Sequence, residues 1–157
     1  LKLVTLWDLM SLSLRKEVIE KSLLFKGMRP WEIRKFILAS TVHHYRKGQK
    51  IFELDDDSEA MYMVMRGNVK VRHIGNRADK EIDEFFLPGD VFGDVSMFAN
   101  LPRSSEAMAT EQTSLLVLTK ESIENATNYH PGISAKLFFN VATHVSQRFS
   151  SLIHKQG

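Results

Sequence analysis

The chain has 157 residues, 43% of them hydrophobic and 25% charged, which fits one globular domain with enough apolar side chains for a core. Its 21 basic and 19 acidic residues leave a formal charge of +2, and the bases are scattered, so the electrostatic footprint of a nucleic-acid binder is not expected. Cys is absent, which excludes disulfides, thiol catalysis and Cys-based zinc sites and fits a reducing compartment.

No apolar run reaches the roughly 18 residues that a membrane-spanning helix needs. The chain begins with Leu1 rather than Met, and it is expected to be a piece of a longer protein. Its opening, "LKLVTLWDLMSLSL", is broken by Lys2 and Asp8 and has no small-residue cleavage pattern, so it does not read as a signal peptide. Residues 1–25 place Leu3, Leu6, Trp7, Met10 and Leu14, then Val18, Ile19, Leu23 and Leu24, near a 3.6-residue period. That predicts an N-terminal helical segment or linker over 1–25, with the main domain over 26–157. "KGMRP" interrupts the pattern, and Pro30 suits the first turn of a second short helix, "PWEIRKFILAS".

From Val42 to Thr119 short apolar runs alternate with Gly, Asp and Asn punctuation about every ten residues, as in "TVHHYR-KGQ", "AMYMVMR-GN", "VKVRHI-GNRADKE" and "SLLVL-TK". Many short strands of this kind predict an antiparallel sandwich or barrel. Met61, Met63 and Met65 alternate with Tyr62 and Val64, which predicts a strand covered on both faces, with methionine as core filler. After Thr119 the helical pattern returns. "KESIENATNYH" is short; the segment opened by Pro131 is long, with Ile133, Leu137, Phe138, Val141, Val145, Phe149, Leu152 and Ile153 in one stripe. The fold class is therefore mainly β with flanking helices (α+β): an antiparallel β-roll or double-stranded jelly roll, N-terminal helices and a long C-terminal helix.

No enzymatic constellation is present. Six histidines are scattered without zinc-helix spacing, and there is no GxSxG, GxxxxGK[ST] or GxGxxG. "DDDSE" at 55–59 lacks the Gly and Glu of a calcium loop at the sixth and twelfth positions, where Ala60 and Arg66 stand. Neither catalysis nor a metal or cofactor is expected.

"PGDVFGDVSMFANLPRSS" carries more chemistry. Gly89 and Gly93 allow close backbone approach, and "DVSMF" reads as one helical turn whose free N–H groups suit a phosphate. Arg103, stiffened by Pro102, offers a fork matched to two phosphate oxygens, with the hydroxyls of Ser104 and Ser105 beside it. Asp94 offers an acceptor for a neutral hydroxyl. Together these describe a site for a sugar phosphate with a free hydroxyl. The same residues also read as a structural turn with a surface arginine, and the chemistry alone does not choose.

"FGDVSMFANLPRSSEA", with "YRKGQKIF" around Gly48, "MYMVMRGNVKV" around Gly67 and "FFLPGDVFGD" around Gly89 and Gly93, resembles the cyclic nucleotide-binding domain family of the catabolite activator protein and the kinase regulatory subunits. The similarity covers about residues 23–154. It implies a regulatory module that binds a cyclic nucleotide, cAMP favoured over cGMP. Arg103 would pair with the cyclic phosphate, and Gly93 with the residues after it (Val95, Ser96) would donate backbone N–H groups. Asp94 would hold the ribose 2′-hydroxyl, and Ser104 would meet phosphate or base; Phe92, Pro102 and Ser105 complete the cassette. The long helix would fold over the purine, with Thr143, His144 and Arg148 as candidates for the base edge. Its apolar stripe from Ile133 to Ile153 is wider than the β-roll needs, so part of it is expected to meet either a second copy of the chain, as a homodimer, or the ligand.

Two positions depart from the family pattern: Asp94 replaces the usual Glu, one methylene longer, and Asp55 replaces a turn glycine. They leave a second reading open, a family-like fold that binds no nucleotide and acts as an interaction or oligomerisation domain. DNA-binding relatives carry a winged helix after the long helix, so no nucleic-acid binding is expected of this chain. The opening "LKLVTLWDLMSLSLRK" is similar to segments that join bacterial membrane exporters to such domains. It implies a tether to a transporter or another effector and a cytoplasmic location.

Overall fold

A computed structural model describes residues 16–74 and 81–154. The helical expectation for 1–25 therefore lies partly outside the described residues. Residues 16–21 are helical (α1), and Leu23–Phe25 form a separate 3-10 turn. Ser22 separates them: its Oγ accepts from Leu24 N at 3.3 Å and donates to Gly89 O at 2.9 Å. α2 (Pro30–Ala39) starts on Pro30, and Glu32 accepts from Arg29 N at 2.6 Å to close its first turn.

Eight strands follow in two four-stranded antiparallel sheets. They are β1 (Thr41–Tyr45), β2 (Lys50–Phe52), β3 (Ala60–Arg66), β4 (Val69–Ile74), β5 (Glu81–Phe86), β6 (Val91–Phe92), β7 (Ser105–Ala109) and β8 (Thr113–Thr119), with α3 (Asp94–Ala99) between β6 and β7. One sheet runs β1-β8-β3-β6, the other β2-β7-β4-β5. α4 (Lys120–Tyr129) and α5 (Pro131–His154) close the chain. The β-roll with flanking helices matches the expectation. β6 is an addition: two residues are too few to show a period, and its pairing of Phe92 with Tyr62 and Val91 with Met63 is a tertiary event.

β3 shows why the methionine alternation arises. Met61, Met63 and Met65 face a core shared with Phe36, Met97, Ile123, Ile133 and Leu137 from the helices. Val64, with Tyr62 at its edge, faces the roll interior with Phe52, Val69, Val71, Phe86, Phe92 and Leu115. Ile19, Leu24 and Phe25 belong to the helical core, so residues 16–25 pack as part of the same body.

α5 is 24 residues long, about 36 Å. Its first half is anchored. Ile133, Leu137 and Val141 are buried, Lys136 Nζ donates to both oxygens of Glu32 at 2.8 Å, and Asn140 Nδ2 donates to Leu24 O and Lys26 O at 2.8 and 2.9 Å. The predicted stripe is thus split, because Phe149, Leu152 and Ile153 are all more than half exposed.

These anchors give two expected results. Asn140→Asp replaces a donor by an anion facing two carbonyls, and should destabilise the fold by about 2–4 kcal/mol, read as a lower denaturant midpoint. Glu32 should show in the pH dependence. Its hydrogen bonds to Arg29 N and Lys136 hold its carboxyl below the ordinary 4.5. A depressed carboxylate contributes stability above its unfolded value and loses it as pH falls through the folded one. The melting gap between wild type and Glu32→Gln should therefore be full at neutral pH and close below pH 4.5; a gap constant down to acid pH would count against the pairing.

Candidate functional site

The site begins where β6 ends. Gly93 caps α3 in the left-handed region, φ 76°, and a side chain there would place its Cβ 2.9 Å from Arg103 Nη1 and 3.2 Å from Tyr62 Cδ2. A residue with a Cβ would be strained in that backbone and would displace the arginine, so Gly93 is required twice over. Asn100, φ 55°, stops α3 after six residues and turns the chain back. Asp94 stands in the first turn of α3 and is 1% exposed.

Arg103 is placed from its backbone. Its N donates to Asp56 O at 2.8 Å, and its carbonyl accepts from Asp55 N at 2.9 Å. Asp55 adopts φ 68°, the left-handed conformation that the turn needs. The Arg103 side chain is 2% exposed; Nη1 donates to Gly93 O at 2.7 Å and Nη2 to Ala60 O. Its guanidinium lies 4.3 Å from the Phe52 ring centroid, within cation–π range. Burial pulls its pKa down, with Tyr62, Asp56 and Asp94 opposing, and an arginine remains charged throughout.

Between this cassette and α5 lies a cavity of about 260 Å³. Phe52, Val71, His73, Phe86 and Phe92 line the roll side; Gly93–Ser96 and Arg103–Ser105 line one end; Val145, Arg148, Phe149 and Leu152 come from α5. Two buried charged groups there keep polar atoms without a hydrogen bond, Arg103 Nε and both carboxylate oxygens of Asp94. Arg148 Nη1 stands 4.0 Å from Asp94 Oδ1, an ion-pair distance without a hydrogen bond. Leaving buried charged groups short of hydrogen bonds costs several kcal/mol. A ligand that brings an anion and a hydroxyl together would relieve both.

The sequence profile of the cyclic nucleotide-binding domain family matches residues 42–130, over half of the chain. The chain belongs to this family. The Thermus thermophilus cyclic AMP receptor protein is 32% identical over 100 residues, which are 62% of this chain and 45% of that protein. The HTH-type transcriptional regulator Cmr of Mycobacterium tuberculosis is 27% identical over 111 residues, 69% of this chain and 45% of that protein. The chain thus spans under half the length of these relatives. The solved structure of the Thermus thermophilus catabolite activator protein superposes with a TM-score of 0.76 at 26% identity, covering 86% of this chain and 62% of that one.

Within this cyclic nucleotide-binding domain the cavity gathers most of the residues singled out by sequence: Phe92, Gly93, Asp94, Val95, Ser96, Arg103, Ser104, Ser105 and Arg148. Three others do not line it. Pro102 is exposed in the loop. Thr143 donates to Phe139 O at 2.9 Å within α5. His144 has its Nε2 buried away from the cavity wall, without a partner. The reason is helical phase. Val145, Arg148, Phe149 and Leu152 follow the i, i+3, i+4, i+7 rule, and at about 100° per residue Thr143 falls nearly opposite that face and His144 about a quarter-turn aside.

His73, Val71 and Phe86 were missed in the sequence. The alternation of β4 puts Val71 and His73 on one face, but only sheet pairing makes that face the inner one. No helix among the described residues is long and apolar enough to cross a membrane.

Proposed function

We propose that the domain binds one cyclic nucleoside monophosphate in this cavity, cAMP in preference to cGMP, as a regulatory, non-catalytic module whose output runs through α5. The observation that carries the reading is the pair of buried charges at one end of the cavity, Arg103 with a free Nε and Asp94 with both oxygens free of hydrogen bonds. The cyclic phosphate suits the first and the ribose 2′-hydroxyl the second. At about 260 Å³ the cavity lies below the roughly 300–1,000 Å³ of common small-molecule sites, which argues against a ligand larger than a mononucleotide.

Adenine is favoured because the wall beyond the cassette is largely apolar: Val71, Phe86, Val145, Phe149 and Leu152. Guanine brings a carbonyl, a ring N–H and an amine that would be desolvated against these side chains, while the polar groups beside them, His73 and Arg148, are already engaged with Glu84. The relative named as a cyclic AMP receptor points the same way. The exposed apolar end of α5, with Phe149, Leu152 and Ile153, suits a second copy of the chain or an effector segment, such as a transporter in a parent protein acting in the cytoplasm.

Isothermal titration with cAMP, cGMP and 2′-deoxy-cAMP tests the reading. The expected order is cAMP, then cGMP, with the deoxy analogue about 10- to 100-fold weaker than cAMP for want of the charge-assisted hydrogen bond. If none of the three binds, the domain works through its helices alone.

A further inference from the structure

Glu84 lies outside the cassette, and its place in the sheet is unusual for an acidic residue. β5 is an edge strand, and Glu84 is paired with Val71 while Asp83 is paired with Arg72. Residues directly opposite in an antiparallel pair share a face. Asp83 therefore meets Arg72 on one face, at 2.9 Å, while Glu84 sits on the cavity face with Val71, His73 and Phe86. A bare carboxylate there would repel an anionic ligand.

It is not bare. Arg148 Nη2 donates to Glu84 Oε2 at 2.7 Å, and His73 Nε2 lies 3.1 Å from the same oxygen. The carboxylate only accepts, so His73 carries its proton on Nε2. Both partners line the cavity. His73 first, then burial opposed by the Arg148 charge, sets the balance that holds the Glu84 carboxyl below its ordinary value.

Arg148 has a second acid in reach. Its Nη1 is 4.0 Å from Asp94 Oδ1, and its Cζ lies 5.5 Å from the Phe86 ring centroid. The half of α5 that carries it has no buried residue after Val141, and Arg148 makes polar contacts from that half to the β-roll.

We infer that Glu84 is a positioning residue, which holds Arg148 away from Asp94 and thereby ties the second half of α5 across the cavity while keeping the Asp94 carboxylate available. The inference rests on the nucleotide reading only for what Asp94 then accepts; the tie itself is independent of ligand. Loss of the Glu84 charge frees Arg148 to close onto Asp94, where it competes with a ligand hydroxyl.

Hydrogen exchange on the ligand-free chain tests the tie. In Glu84→Gln, exchange across residues 144–154 should rise about two- to fivefold, the range for a partly exposed ion pair, while residues 131–141 stay as in wild type. Arg148→Gln removes the contacts to both Glu84 and Asp94 and should give a rise at least as large, and the double variant no more than Arg148→Gln alone. It also covers the case in which Glu84→Gln fails to fold. In titrations, the preference of Glu84→Gln for cAMP over 2′-deoxy-cAMP should shrink relative to wild type. Unchanged exchange across 144–154 in the folded variants, or additive effects in the double variant, would overturn the tie. An undiminished preference for the 2′-hydroxyl would overturn the guarding of Asp94. Failure of the wild type to bind nucleotide would sink the functional reading and leave the exchange result to decide the tie.

Discussion

Arg103→Ala should weaken cyclic-nucleotide binding by about 2–5 kcal/mol, roughly 30- to 5,000-fold in Kd. The cyclic phosphate carries the formal charge of the ligand, and Arg103 is the cation of the cassette. Its guanidinium is buried against Phe52 and fixed by the carbonyls of Gly93 and Ala60, so it is aimed before ligand arrives and little ordering entropy is lost on binding. The same contacts mean that truncation also leaves two carbonyls short of a donor, and a modest loss of thermal stability should accompany the loss of affinity. Titration of cAMP, with circular dichroism to confirm folding, separates the two. Arg103→Lys should fall between wild type and Arg103→Ala, because a point charge cannot bridge both carbonyls and still present a donor to phosphate. A folded Arg103→Ala chain with wild-type affinity would end the assignment.

Gly67→Ala should be the most damaging of the glycine substitutions for stability. Gly67 turns the chain between β3 and β4 with φ 92°, and a Cβ there would run into Thr113 Oγ1 and lie 2.6 Å from Gln112 O and 2.7 Å from Thr113 Cα. Two of those three are backbone atoms. The third belongs to a side chain 1% exposed whose hydroxyl bonds to Asn68 O at 3.2 Å and Glu111 O at 2.9 Å. None can yield cheaply. The left-handed backbone contributes about 1–2 kcal/mol and the overpacking about 1–3 kcal/mol. A chain of this size should lose roughly 5–20 °C in Tm. Calorimetry would show it, and a melt within about 2 °C of wild type would contradict the geometry. Neither Gly67 nor Thr113 lines the cavity, so the folded fraction should bind as wild type does.

How much was legible in the sequence depends on how local the cause is. Gly93 and Arg103 could be read directly, because left-handed backbone and a forked cation are properties of single residues. The methionine alternation of β3 could be read because its period survives burial on both faces. β6 could not: two residues carry no period. Nor could the α5 contact. The stripe from Ile133 to Ile153 is continuous in sequence, yet the anchors at Lys136 and Asn140 fix the helix by its first half and leave Phe149, Leu152 and Ile153 exposed.

The sequence by itself determined the β-roll between helices and the glycine-pinned turns, and it singled out the stretch from Phe92 to Ser105 as a candidate site. Only the tertiary structure decided that Arg148, and not Thr143 or His144, faces the cavity, and that His73 and Glu84 stand on the inner face of their sheet. Each of those outcomes is a rotation of an element as a rigid body. Residue identity specifies which side chains share a face; packing against the rest of the molecule specifies where that face points.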